Sequence, residues 1–237
     1  MEARVNDPGS DRMDRFGAAS AIDLGLRSFM LRVFNTMAGG LALTGAVAYA
    51  PASSGLYASI AGTPLIWLVM LAPLGLALLL GFRVGRMNSA AAQASFWGFA
   101  ALMGLSLAGI FLLYTGDSIA RVFFISAATF AVTAAWGYTT RTDLSRFGSF
   151  LLMGLAGVVL ASLVNLFVGS SALQFAVSVI GVLVFTGLTA WNTQRLKAMY
   201  LDNGGTGTLA ILGALMLYLD FVNLFLLLLQ LLGARRD

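Results

Sequence analysis

The chain of 237 residues has no histidine and no cysteine, one lysine (Lys197) and one glutamate (Glu2). Without cysteine there is no disulfide framework, and without cysteine or histidine the usual zinc sites are excluded. Serine triads of the usual kind, HExxH metalloproteases and Ser-His intramembrane proteases all require histidine and fall with it. Charge is scarce too. Only 10% of residues are charged and 59% are hydrophobic, whereas a typical soluble domain is roughly 25% charged. The 14 basic and 10 acidic side chains cannot clothe a soluble domain of this length. The class that remains is a polytopic membrane protein.

What is present is a series of long apolar runs. Seven are long enough, at about 20 residues each, to cross a bilayer core of roughly 30 Å. They are read at Leu31–Ala50, Pro64–Phe82, Ser95–Tyr114, Ser118–Tyr138, Phe147–Gly169, Ala172–Thr193 and Leu209–Leu232. No strand-like alternation is present, so an outer-membrane barrel is excluded. No 20–50-residue repeat is evident. The links Thr115–Asp117 and Ser170–Ser171 are so short that each implies an antiparallel helical hairpin. The expected fold is all-α, with residues 33–237 forming a seven-helix transmembrane domain and residues 1–32 a polar cytoplasmic tail. No secretory signal is read in that tail, which lacks a compact basic region followed by an apolar core.

Basic residues in the links indicate orientation. Arg4, Arg12, Arg15, Arg27, Arg32, Arg83, Arg86, Arg141, Arg146, Arg195 and Lys197 fall on one side, and Arg121, Arg235 and Arg236 on the other. The positive-inside rule then puts the N-terminus in the cytoplasm and the C-terminus outside. The Arg235-Arg236 pair opposes this, and six spans with both ends inside is the alternative. The net charge of +4 needs no nucleic acid, because the basic residues flank spans where they face lipid phosphates.

Of the ten acids, only Asp220 lies inside a long apolar run. It is about eleven residues into the last span, roughly 16 Å along a helix and so near the midplane. Asn223 at i+3 and Gly213 at i−7 share its face. Intramembrane acids are costly and more often mark an ion or proton path than a structural role. The competing reading is a protonated carboxyl bonded to a neighbouring helix. Asn192 is read in the last turn of span six, where a hydrogen bond at the helix end with Thr193 and Gln194 is the simpler explanation. Arg83 and Arg86 close span two, where snorkelling to phosphates is the simpler explanation. Asn165 and Gln174 are read as interhelical glue. Gly39, Gly40, Gly154, Gly157, Gly181 and Gly187 are read as points of close helix approach. The aromatic residues of the spans are read as lipid contacts and interfacial anchors. One intramembrane acid is not a catalytic set, so no enzyme is expected. A retinal-type pigment needs a lysine within a span, whereas Lys197 is read in a link.

The run Gly213–Gly233, GALMLYLDFVNLFLLLLQLLG, resembles the C-terminal signature of the Bax inhibitor-1 family (transmembrane BAX inhibitor motif proteins), close to G-A-L-x-L-Y-L-D-F-I-N-L-F. GLTAWNTQRLK (Gly187–Lys197), LYTGDSIARVFFISAATF (Leu113–Phe130) and GYTTRTDLSRFGSFLLMGL (Gly137–Leu155) extend the likeness over nearly everything after the tail. The resemblance is to the bacterial branch and implies the bacterial inner membrane. It also implies six helices wrapped around the seventh and a proton-sensitive calcium leak. In that pattern two Asp residues, on helices six and seven, form a hydrogen-bonded pair, and a helix-two Arg is associated with them. Asp220 matches the helix-seven position and Arg86 or Arg83 the arginine. The chain departs at helix six, where Y-D-T-Q becomes W-N-T-Q and the residue is Asn192. An amide can hydrogen-bond Asp220 but cannot titrate. Asp220 is left as a weak calcium ligand, calcium being the transported ion rather than a resident cofactor. Two functions are therefore expected to compete. One is a pH-influenced calcium leak through Asp220, Asn192, Asn223 and a helix-two Arg. The other is a non-transporting protein that modulates a membrane-bound quality-control protease.

Overall fold

The computed structural model describes residues 8–83 and 86–236. Among them, every regular element is a helix: α1 (Pro8–Ser53), α2 (Leu56–Ala61), α3 (Leu65–Arg83), α4 (Ser89–Leu107), α5 (Ile110–Leu113), α6 (Gly116–Thr139), α7 (Ser145–Val168), α8 (Ser171–Asn203) and α9 (Gly207–Leu232). Seven helical stretches are long and apolar enough to cross a membrane, with α4 and α5 together making the third. The seven spans match the reading from hydropathy.

The first and sixth spans run furthest past their apolar runs. The first span extends back to Asp23, and Leu26, Phe29 and Met30 are buried, so the packed body begins before residue 33. Helix α8 continues past Thr193 to Asn203. Lys197, read in a link, is therefore helical. Its Nζ lies 5.2 Å from the centre of the Tyr138 ring, at the level of the last turn of α6.

Helix α9 is the hub. Of its apolar window 72% is buried, against at most 39% for any other span. It packs against α1, α4, α6 and α8, while α3 packs on α4 and α7 on α8. Lipid supplies no hydrophobic drive between helices, so close packing and internal hydrogen bonds hold them. The Cβ that Gly137 lacks would land on the Ala190 backbone, so α6 and α8 touch main chain to main chain there. Gly39, Gly40, Gly154, Gly181 and Gly187 each face a side chain of another helix. Gly157 faces open space, which corrects its reading as a contact point. Phe96 and Phe99 are also not lipid contacts. They are fully buried and meet the Tyr218 ring edge-on.

A buried hydroxyl joins three helices around that ring. Thr44 Oγ1 on α1 lies 2.6 Å from the Tyr218 hydroxyl on α9, 2.8 Å from the Ala100 carbonyl on α4 and 2.9 Å from the Gly40 carbonyl. Its one proton goes to a carbonyl, so Tyr218 donates to it. After α9 the chain folds back along the α5–α6 link. Thr115 N donates to Ala234 O, Ala234 N to Ser118 Oγ and Arg236 N to Leu113 O. Arg121 caps the end of α9 through Leu232 O.

Tyr218→Phe should lower stability by about 1 kcal/mol, the worth of one internal hydrogen bond, read as a lower Tm in detergent. Gly137→Ala should be more damaging than Gly98→Ala, whose added Cβ meets nothing.

Candidate functional site

Asp220 sits halfway along the hub helix. Flanked by fully buried Leu217 and Leu224, it is 5% exposed. Apolar neighbours cannot solvate a carboxyl, and the site supplies one donor. Asn192 Nδ2 on α8 donates to Asp220 Oδ2 at 2.7 Å. Asn192 is 7% exposed and lies well inside α8, eleven residues before its end at Asn203, rather than in the last turn of a span. Thr193 and Gln194 do not bond it. Thr193 Oγ1 donates to Thr189 O. Gln194 reaches the α6–α7 link, where Oε1 accepts from Leu144 N at 2.8 Å and Nε2 donates to Thr142 O at 2.8 Å. In the same link the backbone N–H of Ser145 donates to Asp143 Oδ1 at 2.9 Å, which holds that carboxyl below its usual range. One turn of α8 thus carries the donor to Asp220 and the fastening of a surface link.

The second oxygen of Asp220 has no protein partner. Every fully enclosed side-chain nitrogen or oxygen among the described residues has one, so Oδ1 is not enclosed. It opens into a crevice of about 700 Å³ between α3 and α7, floored by α8 and α9. Asn223 lines the same crevice. Its Nδ2 donates to Leu219 O at 2.8 Å, which leaves the amide carbonyl without a protein donor. Asp220 is the one ionisable side chain among the lining residues. No group of three or more acids that could hold a resident metal ion occurs among the described residues.

The structure brings together Asp220, Asn192 and Asn223 around one cavity. It does not bring Arg83 or Arg86 to them. Arg83 ends α3, Arg86 lies in the turn before α4, both are exposed, and neither lines the crevice. Asn165 is not interhelical glue: its Oδ1 accepts from Ser170 N across the end of its own helix at 3.0 Å. The roles of Thr44 and Gln194 escaped the sequence reading. A threonine among small apolar residues in the first span, and a polar residue two positions from Asn192, were the available signals.

A model of the family described as inhibitor of apoptosis-promoting Bax1 matches residues 26–237. The chain belongs to the Bax inhibitor-1 family. The match starts at Leu26, which is the first buried residue of α1 among those whose burial is described. A protein of Rickettsia prowazekii is 49% identical over 219 residues, 91% of this chain and 93% of that one. A protein of Caulobacter vibrioides is 44% identical over 234 residues, 93% of this chain and 94% of the relative. Inner membrane protein YbhL of Escherichia coli is 43% identical over 234 residues, 94% of this chain and all of that one. This member of the Bax inhibitor-1 family is therefore an integral membrane protein with seven spans.

Gln194→Ala should release the α6–α7 link. Amide hydrogen exchange at residues 142–145 is expected to rise while the membrane-buried part of α8 stays protected. Unchanged exchange there would show that the link is held by other contacts.

Proposed function

We propose that the protein is a pH-influenced cation leak, with calcium as the ion, and that ion and proton meet at Asp220. The observation that carries this reading is the free Oδ1. The only ionisable group of the crevice has one oxygen held by Asn192 and the other turned to the cavity. A carboxyl used only to join two helices would spend both oxygens on protein donors, because an unmet acceptor in hydrocarbon costs several kcal/mol. Calcium favours oxygen ligands, and the Asn223 carbonyl lies on the same face, one turn away.

Among the described residues that line the crevice none offers Asp220 a second charge, and the amide of Asn192 takes up no proton. The pH response belongs to one carboxyl rather than to a coupled pair. Arg83 and Arg86 are assigned to lipid phosphates rather than to the site. With YbhL as an inner membrane relative and the basic residues gathered on one side, we place the chain in a bacterial inner membrane. The part of α1 before Asp23 and the α6–α7 link then face the cytoplasm, and residues 233–236 face outward.

The second reading, a non-transporting partner of a membrane-bound quality-control protease, is favoured by Asn192 itself, since a pair that need not gate tolerates a non-titrating member. Reconstitution in liposomes with an enclosed calcium dye decides between them. Wild type should conduct, with a flux that changes across roughly pH 5 to 8. Asp220→Asn should abolish flux. Asn192→Asp, which sets a second carboxyl against Asp220, should steepen the pH dependence. Silence in all three folded proteins would sink the leak and leave the interaction reading.

A further inference from the structure

Helix α9 has a second open side. A cavity of about 430 Å³ lies between α1 and α6, with Phe221, Val222 and Phe225 of α9 as its floor. It shares no lining residue with the crevice over Asp220. Helices α1 and α6 both pack on α9, but the α1 wall is built of small residues, Ala42, Gly45 and Ala46, and the α6 wall of Phe123 and Phe124. An added Cβ at Gly45 or at Gly116 would meet nothing, so each wall leaves space open. Ala42, Ala46 and Phe124 line the cavity and are also exposed, so it opens sideways into the bilayer.

Its chemistry is opposite to that of the Asp220 crevice. No lining residue is charged, and Thr44 carries the one hydroxyl among them. That hydroxyl is already spent on Tyr218 and on the carbonyls of Ala100 and Gly40. An apolar cavity of this kind does not hold water. Left empty it would forfeit van der Waals contact, which is what holds helices together in lipid. A transmembrane helix, about 10 Å across, is too thick to enter. The depth fits an acyl chain. From Gly116 to Phe124 is about 12 Å of helix, close to the roughly 15 Å of one leaflet's hydrocarbon.

One end of the cavity lies at headgroup level. Phe111 lines it there and meets the ring of Tyr49 edge-on at 5.8 Å, and Tyr49 is exposed, as interfacial tyrosines are. Beside this end the last described residues fold back. Arg236 N donates to Leu113 O, and Arg235 pairs with Tyr114. Both arginines are exposed, and among the described residues no acid forms an ion pair with them, Asp117 of the adjoining turn included. They are the basic pair that opposes the positive-inside count. Two guanidinium groups beside an apolar slot complement one phosphate above one chain.

We propose that the α1–α6 cleft seats one acyl chain of an anionic phospholipid, with Arg235 and Arg236 on its phosphate. The lipid fills the gap between α1 and α6 and ties the last residues to the bundle. The site lies away from Asp220 and stands whether or not the protein conducts.

Native mass spectrometry of the full chain in detergent reads the site, with phosphatidylglycerol and phosphatidylcholine of identical acyl chains as probes. Wild type should retain one phosphatidylglycerol about tenfold more tightly than phosphatidylcholine. Gly45→Leu puts a side chain into the slot. Arg235→Gln with Arg236→Gln removes the charge and keeps the backbone bonds. Each should weaken phosphatidylglycerol retention by about tenfold, while Gly98→Leu, at a glycine with open space outside the cleft, changes nothing. Ala46→Leu replaces Gly45→Leu if that variant fails to fold. Equal retention of the two lipids by wild type, or undiminished retention in the arginine variant, would overturn the phosphate contact. Undiminished retention in folded Gly45→Leu would show a headgroup held at the surface alone and overturn the cleft.

Discussion

A carboxyl at mid-membrane has to be given something to bond, and in this protein it is given one amide. The 2.7 Å bond from Asn192 to Asp220 ties α8 to α9 at the point where an unmet charge would cost most. It also fixes the rotation of both helices. With Asp220 turned to α8 and the crevice, the opposite side of α9 presents Tyr218 to α1 and α4, where Thr44 receives it. Helices α1, α4, α6 and α8 then have one way to close around the hub. The two polar contacts are alike in kind and differ in completeness. The hydroxyl cluster is enclosed, whereas the carboxyl keeps an open side.

That open side follows from the unequal placing of the outer helices. Helix α3 leans on α4, and α7 leans on α8. Neither covers the face of α9 that carries Asp220 and Asn223, and the crevice is the space between them. Only Gly148 and Val158 of α7 are buried, and most of its surface faces outward. A helix held so lightly shapes the cavity wall without contributing a charge to it, so the chemistry of the site is confined to α8 and α9.

The number of spans was legible because it rests on composition, in uninterrupted apolar runs, whereas the hub's identity was legible through the family resemblance. The pairing of residues 192 and 220 was legible through the family motif and not through periodicity. The length of α8 was not. The stretch after Thr193 reads as a link, yet it stays helical because Gln194 and Lys197 find partners around the α6–α7 link. The Thr44–Tyr218 contact joins residues 174 positions apart and leaves no local trace. The place of Arg83 and Arg86 was also beyond reach, since it depends on how far the end of α3 stands from α9. The crevice is a property of two helices that do not meet, and no sequence window spans that.

The order of the chain gives the hub a further meaning. A ribosome releases segments from the N-terminal side first, so the six outer spans enter the bilayer before the helix they enclose. Until α9 arrives, the hydroxyl of Thr44 and the amide of Asn192 face a partner not yet made. Residues 113–118 likewise wait for the segment around Ala234 that closes over them. Among the seven described spans the core is therefore the last to be inserted, and the nascent bundle has to hold a slot of the right shape until the acid that fills it is synthesised.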